Sequence, residues 1–278
     1  MSSLLAAASR AVTAAAQGTA QASDNTGFQS PGPSDFEFPG IFSPNGWFTK
    51  PILIVIVATL LVATLYYLSA RRAAVVPSKG QFLGESVYGF VRNGIALDAI
   101  GHEGLKWAPY LATLFSFIAV NNIAGIVPLV QFPANSRIAF PLVLAAFSWV
   151  IYLYLGIKKH GFVKYFKDMM FPAGIPWPVY ILLAPIEFFS TIIVRPLTLT
   201  LRLTFNMFAG HLVLLLFILG GEYLVKDYGG AVGIAAGSVS LLGSIVLTFF
   251  EGFVQLLQAY VFTLLTALYI GGALADEH

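Results

Sequence analysis

The chain has 278 residues, of which 58% are hydrophobic and only 10% charged, and its mean hydropathy is +0.81. A soluble domain carries about 25% charged residues, so too few charges remain to cover a water-facing globule. Net charge is +2 and cysteine is absent, which excludes disulfides, thiol nucleophiles and thiolate metal sites and leaves the placement of Lys and Arg more informative than their sum.

Residues 1–50 read as an Ala/Ser-rich tail followed by an irregular segment with Pro31, Pro33, Pro39 and Pro44. Residues 51–278 read as a single membrane domain. Its first span is Pro51 to Ala70, nearly continuous apolar sequence closed by Arg71 and Arg72. The arginines put that end on the cytoplasmic side and the N-terminus outside. Between 79 and 103, Lys79, Glu85, Arg92, Asp98, His102 and Glu103 alternate with Phe82, Val87, Phe90, Ile95 and Leu97. This pattern predicts an amphipathic helix lying on the membrane surface. Ala108 to Val130 is a second span and Ile138 to Ile157 a third, ending in Lys158, Lys159, His160, Lys164 and Lys167. Two crossings thus separate the two basic clusters, and the topology closes.

Val179 to Leu219 and Val232 to Leu274 are each about forty residues of mainly apolar sequence, about 60 Å as helix and twice the hydrocarbon thickness. Each is either a hairpin or one tilted helix. The lack of a Gly/Asn turn signal within 197–209 favours long tilted helices, with Pro185 and Pro196 as kink points. Gly220 to Gly230 reads as the polar break between them, outside the membrane, and Asp276-Glu277-His278 as a cytoplasmic end. Gly229, Gly233 and Gly237 stand four apart, a spacing that suits close helix approach as well as a loose helix start. The fold class is all-α membrane protein, with about five crossings including two long tilted helices, plus one surface helix.

A charge in the bilayer core costs at least ~2.5 kcal/mol, so ionisable residues inside apolar runs mark function. Arg202 is the foremost. On a helix, Arg195 lies about 20° behind it and Asn206 about 40° ahead; Thr191 and Thr198 join the same stripe. Arginine keeps its proton when buried and so supplies a fixed cation. Arg195 itself suits either snorkelling or a local pair. On the last helix Ser244, Thr248, Glu251, Gln255 and Gln258 form a second polar stripe. A Glu near a His suits proton relay. His211, nine residues beyond Arg202, lies off the arginine's face and is free to face Glu251. Glu187 suits an inlet or a local cap. Asn121 and Asn122 suit a hydrated path or a helix contact. No P-loop, no HExxH motif and no basic-aromatic nucleic-acid patch is present, and no cofactor is expected.

The run RPLTLTLRLTFNMFAGH, residues 195–211, together with WAPYLATLFSFIAVNNIAGIVP, residues 107–128, and QAYVF, residues 258–262, resembles the ATP synthase subunit a family. The resemblance covers residues 79–275 and implies a non-catalytic stator subunit with two offset aqueous half-channels. Arg202 takes the position of the family's essential arginine, facing the carboxylates of a rotating ring of proteolipid subunits. His211 and Glu251 take the positions of a proton-relay pair that some members carry in reverse. Asn206, Gln258 and Asn122 match polar positions along the path; Gln255 and Arg195 are carried beside them. Glu187 stands near an acidic position with its register open by one residue. Gly125 departs from members that have Asp there. The implied partners are the c-ring, b-type peripheral-stalk subunits and the lipid bilayer, with one copy per complex, and the implied location is a bacterial inner membrane. Without the resemblance, a secondary transporter holding an anionic solute and a structural scaffold are the rivals; the absence of an internal repeat counts against the first, and the through-membrane polar stripes count against the second.

Overall fold

The computed structural model describes residue 28 and residues 30–32, 48–71, 77–127, 130, 132–171 and 177–275. The expected tail, residues 1–50, and Asp276-Glu277-His278 lie almost wholly outside the described residues. Every regular element described is helical.

Helix α1 is Lys50–Arg71. Its inward residues Ile54, Ala58 and Val62 recur every four positions, while Leu53, Val57, Leu60, Leu61 and Leu68 are exposed. A helix with its larger apolar residues outward fits a lipid solvent and not water. Helix α2, Lys79–Val91, starts at Ser78, whose hydroxyl accepts from the Gln81 amide at 3.4 Å. It continues through a wider π turn, Arg92–Leu97, and stops at Gly101 with φ 82°. Val91, Ile95 and Ala96 bury one face against Ala108, Leu111, Ala112 and Ala267. Lys79, Glu85 and Arg92 stand exposed on the other with Phe82 and Phe90, so the expected amphipathic helix packs one face onto the bundle.

Helix α3, Ala108–Ile123, ends seven residues before the expected limit of its span. The Gly125 and Ile126 amides tighten onto the Asn122 and Ile123 carbonyls, and Pro128 two residues on lacks the N–H to continue. Helix α4, Ala139–His160, matches its expected span. The basic cluster divides: Lys158, Lys159 and His160 form the last turn of α4, and Lys164 and Lys167 lie on a further helix, α5, Phe162–Met170, set off by Gly161 at φ 82°.

Helix α6, Trp177–Phe189, passes through a π turn, Ser190–Val194, into α7, Arg195–Tyr223, which a second π turn extends to Tyr228. Leu182–Tyr228 is thus one 47-residue helical rod, about 70 Å at 1.5 Å per residue. The Pro196 ring would crowd the carbonyl four residues back, and the wider turn before it relieves that crowding. Helix α8 is Gly230–Leu274. The long-helix expectation holds over the hairpin. The expected break at 220–230 shrinks to Gly229 and Gly230, at φ 62° and 68°; the stretch before them is helical and carries the Glu222–Lys226 pair one turn apart.

Helices α7 and α8 pack tightly at glycines. A Cβ on Gly237 would lie 2.7 Å from the Gly221 carbonyl, and one on Gly233 2.7 Å from the Leu224 carbonyl. The close-approach reading of the glycine spacing therefore holds for Gly233 and Gly237, and Gly229 is the turn itself. The central core joins Leu114, Ile118, Ala145, Leu199, Leu203, Met207, Ala259 and Phe262 from α3, α4, α7 and α8.

Among the described residues, four helices are long and apolar enough to cross a membrane, and α3 is a shorter apolar one; the chain is an all-α, multi-pass membrane protein. The ends segregate. Lys159 donates to the Leu274 carbonyl, Gly271 abuts Ala99, and Gly84 abuts Ser69. One end of the bundle therefore gathers the C-termini of α1, α4 and α8 with α2, and carries Arg71, Lys79, Arg92, Lys106, Lys158 and Lys159.

Candidate functional site

The polar stripe of α8 points inward. Glu251, Gln255 and Gln258 are 7%, 0% and 4% exposed. Three threonine hydroxyls on the same helix are satisfied locally: Thr248 donates to Ser244, Thr263 to Ala259 and Thr266 to Phe262, each to a backbone carbonyl one turn back. The longer Glu and Gln side chains reach further.

Gln255 Nε2 donates to Glu251 Oε1 at 3.2 Å. Asn122 Nδ2, from the end of α3, donates to the Gln255 backbone carbonyl at 3.2 Å, and Asn135 Nδ2 donates to Asn122 Oδ1 at 2.7 Å. Asn206 on α7 donates to Gln258 Oε1 at 2.8 Å. Glu251 Oε2, Gln255 Oε1, Gln258 Nε2 and Asn135 Oδ1 are buried without a hydrogen-bond partner among the described residues. Buried polar atoms are normally paired, so this concentration of unpaired ones, from α8 and the α3–α4 connection, sets the patch apart from the apolar packing around it.

Helix α7 supplies the facing wall. His211 is buried, and its neighbour Gly210 lies against the Glu251 carboxyl, with a Cβ position 3.4 Å from Oε1. The carboxyl thus packs against α7 at the residue preceding the histidine. His211 and Arg202 lie on different faces, as the spacing requires: Arg202 is exposed, with Thr198, Phe205 and Asn206 also exposed along that side. Asn206 bridges the two environments, since its amide reaches Gln258. Thr191 departs from the expected stripe and is buried, because the π turn between it and Arg195 resets the helical phase.

Arg202 has no hydrogen-bond or ion-pair partner among the described residues. Glu187 and Arg195 are not part of the Glu251 cluster. They pair with each other at 3.5 Å, both about one-third exposed, and the Arg195 guanidinium lies 5.2 Å from the centroid of the Tyr269 ring. Tyr269 packs on Tyr152, whose hydroxyl donates at 2.7 Å to the Thr191 carbonyl inside the π turn. On α5, outside the spans, Tyr165 abuts Gly156, and burial pushes its phenol up while the nearby Arg195 opposes the shift.

Asn121 bonds its own helix through Phe117 O; Asn122 joins the cluster. Gly125 is packed too tightly for a carboxylate, its Cβ position lying 2.9 Å from Pro133 Cβ. Asn135 is the residue the sequence did not announce, since an Asn in a short Pro-containing connection looks like any turn residue. Among the described residues no group of three or more His, Asp, Glu or Cys is placed to hold a metal ion.

Comparison with known proteins places these residues in context. The family model described as ATP synthase A chain matches residues 52–271. The chain is 47% identical over 266 residues to ATP synthase subunit a of Nocardioides sp., covering 92% of this chain and 96% of that protein. It is 48% identical over 259 residues to the subunit a of Frankia alni, covering 91% and 88%, and 42% identical over 259 residues to that of Streptomyces lividans, covering 92% and 91%. A match of this extent, over the helices that carry Arg202, His211 and Glu251, shows that the chain belongs to the ATP synthase A chain family.

Proposed function

We propose that this chain is the ion-translocating stator subunit of a rotary ATP synthase, with Arg202 facing the carboxylates of a rotating c-ring and separating two aqueous half-channels. The observation that carries it is an exposed, unpaired guanidinium near the middle of a 47-residue apolar helix. A cation there is costly unless a counter-charge meets it, and none of the described residues of this chain does so. A ring of proteolipid carboxylates is a partner of the right charge.

The buried Glu251, with His211 on the facing helix and Asn206, Gln255, Gln258 and Asn122 around it, forms one half-channel leading toward the arginine's face. Protons exchange between Glu251, His211 and water, and Asn206 connects that interior to the exposed side of α7. Arg202 favours the ionised ring carboxylate and repels a proton attempting to pass directly from one half-channel to the other. Glu187 and Arg195, at the basic end of the bundle, flank the other route. The subunit performs no ATP chemistry itself and needs no cofactor.

The segregation of basic residues supports a cytoplasmic placement for the end carrying Arg71, Lys158 and Lys159. The N-terminus then lies outside and the C-terminus inside a bacterial cell membrane. One copy, a single transmembrane domain from residue 51 onward, sits against the ring and is held by b-type stalk subunits. The test is ATP-driven acidification of inverted vesicles carrying Arg202→Ala, with assembly checked. Loss of acidification in an assembled complex is expected; pumping at the unsubstituted level overturns the proposal.

A further inference from the structure

We infer that Gln255, braced by Asn122 and Asn135, is a positioning residue that sets the orientation of the Glu251 carboxyl, an inference that rests on the ion-translocating reading of Glu251 above. The two carboxyl oxygens are unequal. Oε1 accepts the Gln255 amide at 3.2 Å, while Oε2 is buried with no partner. Oε2 is therefore the oxygen left to take up and release a proton. An amide N–H does not ionise near neutral pH, so Gln255 itself passes no proton; its contribution is to hold the carrier in one rotamer.

The backbone that carries this amide is held in turn. The Gln255 backbone carbonyl already serves its own helix and receives in addition the Asn122 side chain, and Asn122 is held by Asn135 at 2.7 Å. All three amide side chains are fully buried. They form a strut from the α3–α4 connection through the end of α3 to α8, level with Glu251. Gly210 lies on the opposite side, its Cβ position in ordinary contact with the same carboxyl at 3.4 Å from Oε1. The strut is built from Asn122, Asn135 and Gln255, all amides. It supplies only neutral donors and so leaves Glu251 as the cluster's one acidic group. Ordinary adhesion between helices needs no donor aimed at a carboxylate, which separates the two explanations experimentally.

The test is a double-mutant cycle in the assembled complex, read as ATP-driven proton pumping in inverted vesicles. Gln255→Met keeps the volume and removes the donor. It is expected to lower pumping about tenfold or more, the usual loss for a hydrogen bond to an ionisable group. Asn135→Leu is expected to give a smaller loss in the same direction. Glu251→Asp keeps a carboxyl but withdraws it by one methylene from Gln255. In that background Gln255→Met is expected to change the residual rate less than twofold. An equal fractional loss in both backgrounds overturns the positioning role in favour of adhesion.

A high-resolution structure of the assembled Gln255→Met complex gives the second reading. Several rotamers of Glu251 are expected, and one unchanged rotamer overturns the inference. Glu251→Gln distinguishes the two levels: if it pumps normally, the relay role of Glu251 fails and this inference with it; if it does not pump while the cycle is additive, only the positioning role fails.

Discussion

Gly237→Ala tests how far the site depends on the spacing of its two long helices. An alanine Cβ there lies 2.5 Å from Val225 Cγ2 and 2.7 Å from the Gly221 carbonyl. Ordinary contact begins near 3.4 Å, so α7 and α8 must part by several tenths of an ångström, and the carbonyl cannot rotate aside as a side-chain tip does. Overpacking of this kind costs about 1–3 kcal/mol. Gly243→Ala is the control. It sits six residues further along the same helix, and its Cβ position meets Phe217 at an ordinary 3.5 Å. Both substitutions gain about 0.8–1 kcal/mol of helix propensity, so their difference isolates the close approach. The assay is detergent-dependent thermal unfolding of the assembled complex, paired with vesicle acidification. Gly237→Ala is expected to melt lower than Gly243→Ala and to pump less, because parting the helices also loosens the Gly210–Glu251 contact. Equal melting and equal pumping for the two would refute the claim that this packing holds the site.

Two further outcomes follow from particular contacts. Tyr152→Phe removes the donor to the Thr191 carbonyl in the π turn and is expected to cost about 1 kcal/mol, read as a lowered melting temperature; an unchanged melting temperature would mean that the turn is satisfied without it. Glu187→Gln breaks the part-exposed pair with Arg195, worth about 0–1 kcal/mol, so stability should hold nearly constant. Any large fall in pumping in that variant then reports a role for Glu187 in ion passage, whereas unchanged pumping assigns it to the local pair.

Much of the architecture was legible because membrane helices announce themselves by length. An uninterrupted apolar run such as Pro51 to Ala70 has one solution in a bilayer. The opposition of Arg202 and His211 followed from nine residues of helical phase and holds in the structure. Phase failed at Thr191, since a π turn inserts an extra residue per turn without any signature beyond a nearby proline. The end of α3 was misjudged because Gly125 and Pro128 lie in apolar sequence that reads as a continuing span. Asn135 stayed invisible for a different reason: its meaning comes from which helix end folds back over it, and a hydrogen bond between residues 122 and 135 leaves no periodic trace. Glu187 and Arg195 illustrate the converse. The sequence left each open to a local role, Arg195 as a local pair and Glu187 as a cap, but not the identity of the partner, and the chain pairs them with each other.

The central claim is that the exposed side of α7 bearing Arg202 faces a rotating ring. The chain has no cysteine, so single introduced cysteines give unambiguous cross-links. Phe205→Cys is placed on the exposed face one turn of helix from Arg202, and Leu203→Cys on the buried face. With a cysteine scanned along the outer helix of the proteolipid near its carboxylate, Phe205→Cys is expected to form a disulfide to the ring and Leu203→Cys none. Cross-linking from the buried position, or none from the exposed one in an assembled complex, would contradict the account.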